Sequence, residues 1–101
     1  MLVEFSIVPI GVGTSLSEYI AEVLKEVEES GLPYKINPMG TCVEGDWEEV
    51  MALIKRCHRI VMKKADRVII NIKIDDRKDK PLHLDDKIQS VEKRLGKKLK
   101  K

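Results

Sequence analysis

The sequence predicts one α+β domain over residues 1–101: an antiparallel sheet, two helices on one of its faces, and an additional helix at the C-terminal end. Three observations carry that expectation. Leu2–Pro9 and Arg67–Asp75 alternate in the period of two that a strand requires. Two long stretches between them repeat apolar residues at helical spacing. Gly11-Val12-Gly13, Gly31 and Pro38-Met39-Gly40 punctuate the chain where such elements would have to end.

In the first strand Val3, Phe5 and Ile7 point one way, and Glu4, Ser6 and Val8 the other. Gly11-Val12-Gly13 breaks it. Ser15 with Glu18 has the spacing of a capping box and predicts a helix start. Leu16, Ile20, Val23, Leu24 and Val27 then form one stripe, opposite Glu18, Glu22, Lys25, Glu26 and Glu29. Gly31 predicts a left-handed cap.

Two short strands follow, over Tyr34–Asn37 and Thr41–Glu44. The turn between them brackets Met39 with Pro38, which fixes φ, and Gly40, which tolerates positive φ. Asp46 with Glu49 is a second capping box, opening a helix whose buried stripe is Trp47, Val50, Ile54, Cys57 and Val61, broadened by Leu53 and Ile60. In the last strand Val68, Ile70, Ile72 and Ile74 share one face. Asp75–Pro81 is too polar to pack, and a final helix from about Asp85 carries the seam Leu84, Ile88, Val91 and Leu95.

The resulting order, βαββαβ plus a C-terminal helix, is the signature of a ferredoxin-like split βαβ sheet. In that topology strands 1 and 4 pair antiparallel, and strand 3 flanks strand 1 on its other side. The loop after strand 1 and the Pro38–Gly40 turn then share one end of the sheet. Thr14, Ser15, Ser17, Asn37 and Thr41 would converge there around a small polar ligand. The uncovered sheet face mixes Glu4, Ser6, Val8, Ile69, Asn71 and Lys73, a character suited to a ligand or to a second subunit.

Composition narrows the classes of function. Charged residues make up 36% of the chain and aromatics 4%, so the core is aliphatic. A formal charge of +2 makes no case for nucleic acid, and the basic run from Lys93 to Lys101 reads as a solvated helix end. Cys42 and Cys57 form no Cys-x-x-Cys pair, so neither a disulfide framework nor a zinc site is expected. No stretch approaches membrane-spanning length, and the chain reads as soluble and intracellular.

His58 and His83 lack acids or cysteines at ligand spacing, and Gly11-x-Gly13 lacks the lysine of a phosphate loop. No nucleophile, base and orienting group occur together. No metal, cofactor or catalytic residue is therefore expected.

Ser6–Gly11, Thr14–Ala21, Ser30–Tyr34, Asn37-Pro38-Met39-Gly40-Thr41 with Glu44-Gly45, and Ile72–Arg77 together resemble the thiamine-binding-protein family, small proteins formerly grouped only as conserved and uncharacterised. The resemblance spans nearly the whole chain; Pro38–Thr41 and Asp75-Asp76-Arg77 are its most specific blocks. It implies a ferredoxin-like subunit, a homodimer or homotetramer assembled through the sheets, and non-catalytic binding of thiamine or its hydroxymethylpyrimidine moiety in the cytoplasm.

The ligand-binding positions then expected are Ser6, Thr14, Ser15, Asn37, Met39, Gly40, Thr41 and Glu44. Hydroxyls, an amide and main-chain groups can satisfy the edges of an aminopyrimidine. The Met39 thioether suits its face, and Glu4 or Glu44 suits the thiazolium charge. The alternative is a structural or regulatory assembly protein in which the cleft is incidental.

Overall fold

A computed structural model describes all of residues 1–101. The elements run β1 (Leu2–Ile10), α1 (Ser17–Glu29), β2 (Tyr34–Asn37), β3 (Gly40–Glu44), α2 (Trp47–Met62), β4 (Arg67–Asp75) and α3 (Asp86–Leu95). The strands form one antiparallel open sheet in the order β2-β3-β1-β4. This α+β arrangement of three helices and four strands is consistent with a ferredoxin-like fold, and β1 sits between β3 and β4 as the topology required.

Register assigns the faces. Val3, Phe5, Thr41 and Val43 lie under α1 and α2, and with Val23, Val27, Val50, Leu53, Ile54, Cys57 and Val61 they make the buried centre. Glu4 lies opposite Lys73 and Ser6 opposite Asn71 on the uncovered face.

β1 and β3 differ in length, and that difference shapes the site. β4 pairs with β1 along its full nine residues, Leu2 to Ile10. β3 pairs with it only from Leu2 to Phe5. Beyond Phe5, one edge of β1 has no neighbouring strand.

Four expectations need correction. Ser15 does not cap α1: the helix starts at Ser17 after Leu16, with no side-chain cap. Glu18 instead meets Lys64 Nζ at 2.8 Å, and Glu22 meets the same ammonium at 2.6 Å, tying α1 to the end of α2. Trp47 is not in the α2 stripe; as the first residue of the helix, a turn before Val50, it stays 57% exposed.

The Pro38-Met39 turn needs no positive φ, since only Gly11, Gly13, Gly31 and Gly96 adopt one. Close approach favours Gly40 instead: a Cβ there would stand 3.3 Å from the Phe5 carbonyl oxygen and 3.3 Å from Glu4 Cγ. Finally, Lys93–Lys101 is not one helix end. Gly96 (φ +69°) stops α3, and the tail turns back so that Leu99 N–H and Lys101 Nζ both donate to Glu92.

Asp46 does cap α2. It accepts from Glu49 N–H at 2.8 Å while Glu49 Oε1 accepts from Asp46 N–H at 3.2 Å. Gly31 (φ +75°) follows α1 as expected. α3 buries no residue; its start is held to the sheet by Lys35–Asp85 and Lys87–Asp75, each at 3.2 Å.

Candidate functional site

The α1 stripe is longer than the core it helps to fill. Val23 and Val27 pack into the centre, but Leu16, Ile20 and Leu24 stay outside the buried cluster. They roof a cavity of about 350 Å³ instead. Its floor is β1 from Phe5 to Val8, and its far wall is the β2–β3 hairpin from Ile36 to Thr41. Where β3 stops pairing, the hairpin turns away and leaves the space open. Ile20 remains 47% exposed and Ile36 55% exposed on its rim.

Polar residues in the lining are few: Ser6 on the floor, and Asn37 and Thr41 on the hairpin. Thr41 is the single buried polar residue and faces the cavity from the core side of β3. Asn37 lies on the opposite face of the hairpin, its Nδ2 donating to Cys42 Sγ at 3.2 Å. Cys42 in turn lies 3.9 Å from Glu4 Oε2. Partial burial, with the Glu4 charge beside it, holds the Cys42 thiol above its ordinary pKa, so the thiol stays protonated at neutral pH.

A second, smaller hollow of about 140 Å³ opens on the uncovered face between Glu4, Ser6, Asn71 and Lys73. Ser6 and Met39 border both hollows. Met39, 90% exposed at the tip of the hairpin, is the hinge between them.

Five of the eight expected positions thus come together: Ser6, Asn37, Met39, Gly40 and Thr41 all line the larger cavity. Thr14 and Ser15 are exposed in the loop before Leu16 and do not line it. Glu44 is elsewhere. It pairs with Leu2 at the other end of β3, and its Oε2 lies 2.9 Å from His83 Nδ1. That contact gives His83 an acidic neighbour that sequence spacing hid, 39 residues away.

The apolar wall was missed from sequence. Leu16, Ile20 and Leu24 read as part of one buried stripe because periodicity reports which side of a helix is apolar, not what it faces; Val8 reads as part of the uncovered sheet face, and Ile36 is not singled out. The early arrival of Gly40, which ends β3's pairing with β1 at Phe5, is the one local signal of a gap.

No helix is long and apolar enough to cross a membrane. No group of three or more His, Cys, Asp or Glu side chains is arranged to hold a metal ion.

Comparison with known proteins gives a consistent result. An uncharacterised UPF0045 protein of Bacillus subtilis is 40% identical over 100 residues, covering 93% of this chain and 96% of its own length. One from Synechocystis is 39% identical over 93 residues, covering 91% of this chain and 77% of its own. The crystal structure of a hypothetical protein from Methanocaldococcus jannaschii superimposes with a TM-score of 0.84 at 36% identity, over 89% of this chain and 93% of that one. A Thermotoga maritima protein assigned provisionally to thiamine biosynthesis or salvage gives 0.79 at 26% identity, over 89% and 96%. The family model described as thiamine-binding protein matches residues 3–92. The chain belongs to the thiamine-binding protein family.

Proposed function

We propose that this protein binds thiamine, or its hydroxymethylpyrimidine moiety, in the cavity between α1 and the β2–β3 hairpin, without transforming it. The observation that carries this reading is the cavity itself. At about 350 Å³ it has the size of a small-molecule site, with largely apolar walls and the polar residues Ser6, Asn37 and Thr41 in its lining. A flat heteroaromatic ring fits such walls, and Met39 stands where a thioether would cover its open face. The family relationship supports the choice of ligand.

The reading is non-catalytic because no nucleophile and base meet at the cavity; the thiol nearest to it, Cys42, is held protonated. The protein acts as a cytoplasmic homodimer or homotetramer on the same reading. The exposed sheet face and α3, whose Val91 and Leu95 are half exposed, supply apolar surface for assembly. That surface also favours the second reading, an assembly protein with no thiamine-related ligand.

Isothermal titration with thiamine and with hydroxymethylpyrimidine separates the two. Saturable binding at about one site per subunit or per dimer supports the first. No heat at two temperatures, with no ligand-dependent rise in melting temperature, favours the second.

A further inference from the structure

The uneven lengths of β1 and β3 leave specific atoms without partners. Met1 and Gly45 exchange both main-chain hydrogen bonds: Gly45 N–H donates to the Met1 carbonyl at 3.1 Å, and the Met1 amino group to the Gly45 carbonyl at 2.8 Å. In an antiparallel ladder such exchanging pairs recur at every second residue. Val3 with Val43 and Phe5 with Thr41 are therefore the next two. Odd-numbered residues of β1 direct their N–H and C=O groups toward β3; even-numbered ones direct theirs toward β4.

Ile7 is the next odd residue, and β3 has already ended. Its position opposite would be Met39, in the turn, and no main-chain or side-chain hydrogen bond joins them. The Ile7 N–H and C=O thus point into the gap between β1 and the hairpin, where Ile7 lines the cavity. Ile7 is only partly buried, so in the open cavity this donor and acceptor are left to solvent or to a ligand rather than to a neighbouring strand.

The next odd residue, Pro9, has no N–H to offer. That explains how a proline sits within a strand without breaking the β4 ladder. It also makes the free edge a poor template for an added strand, because only Ile7 presents a donor. One donor and one acceptor, side by side, suit a small ligand better than another chain.

We propose that the Ile7 N–H and C=O are the recognition pair for an aminopyrimidine edge. The N–H donates to the ring nitrogen beside the amino-bearing carbon, and the exocyclic amino group donates to the Ile7 carbonyl. The pair completes, with a ligand, the exchange that β3 makes at Phe5. This rests on the binding function proposed above and names the atoms that would read the ring.

The test uses the intact protein labelled with ¹⁵N, with hydroxymethylpyrimidine as the probe beside its analogue bearing a 4-oxo group in place of the 4-amino group. The analogue reverses both complementary groups, so it meets the Ile7 N–H with a donor and the carbonyl with an acceptor. The expected result is a downfield shift and slowed exchange of the Ile7 amide proton on binding. The analogue should bind at least about a hundredfold more weakly.

Ile7→Pro removes the N–H together with the side chain and should lose at least about tenfold in affinity, and Ile7→Ala, which trims the side chain but keeps the N–H, should lose clearly less. If hydroxymethylpyrimidine binds but the Ile7 amide does not respond, or the 4-oxo analogue binds as well, the pairing is wrong and the binding function stands. If neither thiamine nor hydroxymethylpyrimidine binds, the binding function itself fails, and this pairing with it.

Discussion

Gly40 lies so close under Phe5 that a β-carbon on it would stand 3.3 Å from the Phe5 carbonyl oxygen. This contact lets the hairpin press against β1 at its last paired position and then turn away, opening the cavity one residue later. Gly40→Ala should therefore cost stability, about 1–2 kcal/mol by the usual cost of overpacking. It should also weaken thiamine binding, because the hairpin must retreat from β1. Urea unfolding and titration of the variant check both; unchanged values in both would mean the contact is freely relieved.

The two capping boxes read from sequence should behave differently. Asp46→Ala removes an acceptor observed at 2.8 Å from Glu49 N–H and should destabilise the protein by about 1 kcal/mol. Ser15→Ala should stay within about 0.5 kcal/mol of the parent, since α1 starts beyond it without a side-chain cap. Equal losses in thermal unfolding would contradict the observed start of α1.

The difference between those two boxes illustrates what was legible in this sequence. Ser15-x-x-Glu18 and Asp46-x-x-Glu49 are equally good local signals. What separates them is tertiary: Lys64, far along the chain, claims Glu18 and Glu22 together. Strand periods, helix stripes and the Gly31 stop came through because each depends on neighbours in sequence. The hairpin side of the site was legible for the same reason, as Asn37–Thr41 is one contiguous block. Its roof on α1 was not, because Leu16 and Ile20 differ from Val23 and Val27 only in what lies beneath them. Glu44 looked like part of the site through proximity in sequence to Thr41, yet strand geometry carries it to the other end of β3 and to His83.

Roof and core should part company under mutation. Leu53 is fully buried, and Leu53→Ala should cost about 2–5 kcal/mol. Ile20 is half exposed above the cavity, so Ile20→Ser should cost less than about 1 kcal/mol while reducing thiamine affinity severalfold. Melting temperature and titration heat read the two effects separately. An Ile20→Ser protein that binds like the parent would move the ligand away from α1.

The alkaline limit of stability should trace to one buried thiol. Cys57 lies at the centre of α2's inner face, fully buried, and burial pushes its pKa from the ordinary 9.0 to about 11, with the nearby Glu26 charge adding to the rise. The folded state therefore holds this proton more tightly than the unfolded chain does. Its contribution is complete below pH 9 and diminishes as the pH rises from 9 toward 11, because there the unfolded state gains by ionising and the folded state does not. Cys57→Ala removes that linkage at the cost of a small cavity. The variant should be less stable at pH 7, yet lose less further stability between pH 9 and 11 than the parent in parallel urea titrations. Parent and variant curves of the same slope across that interval would place the alkaline transition on another group.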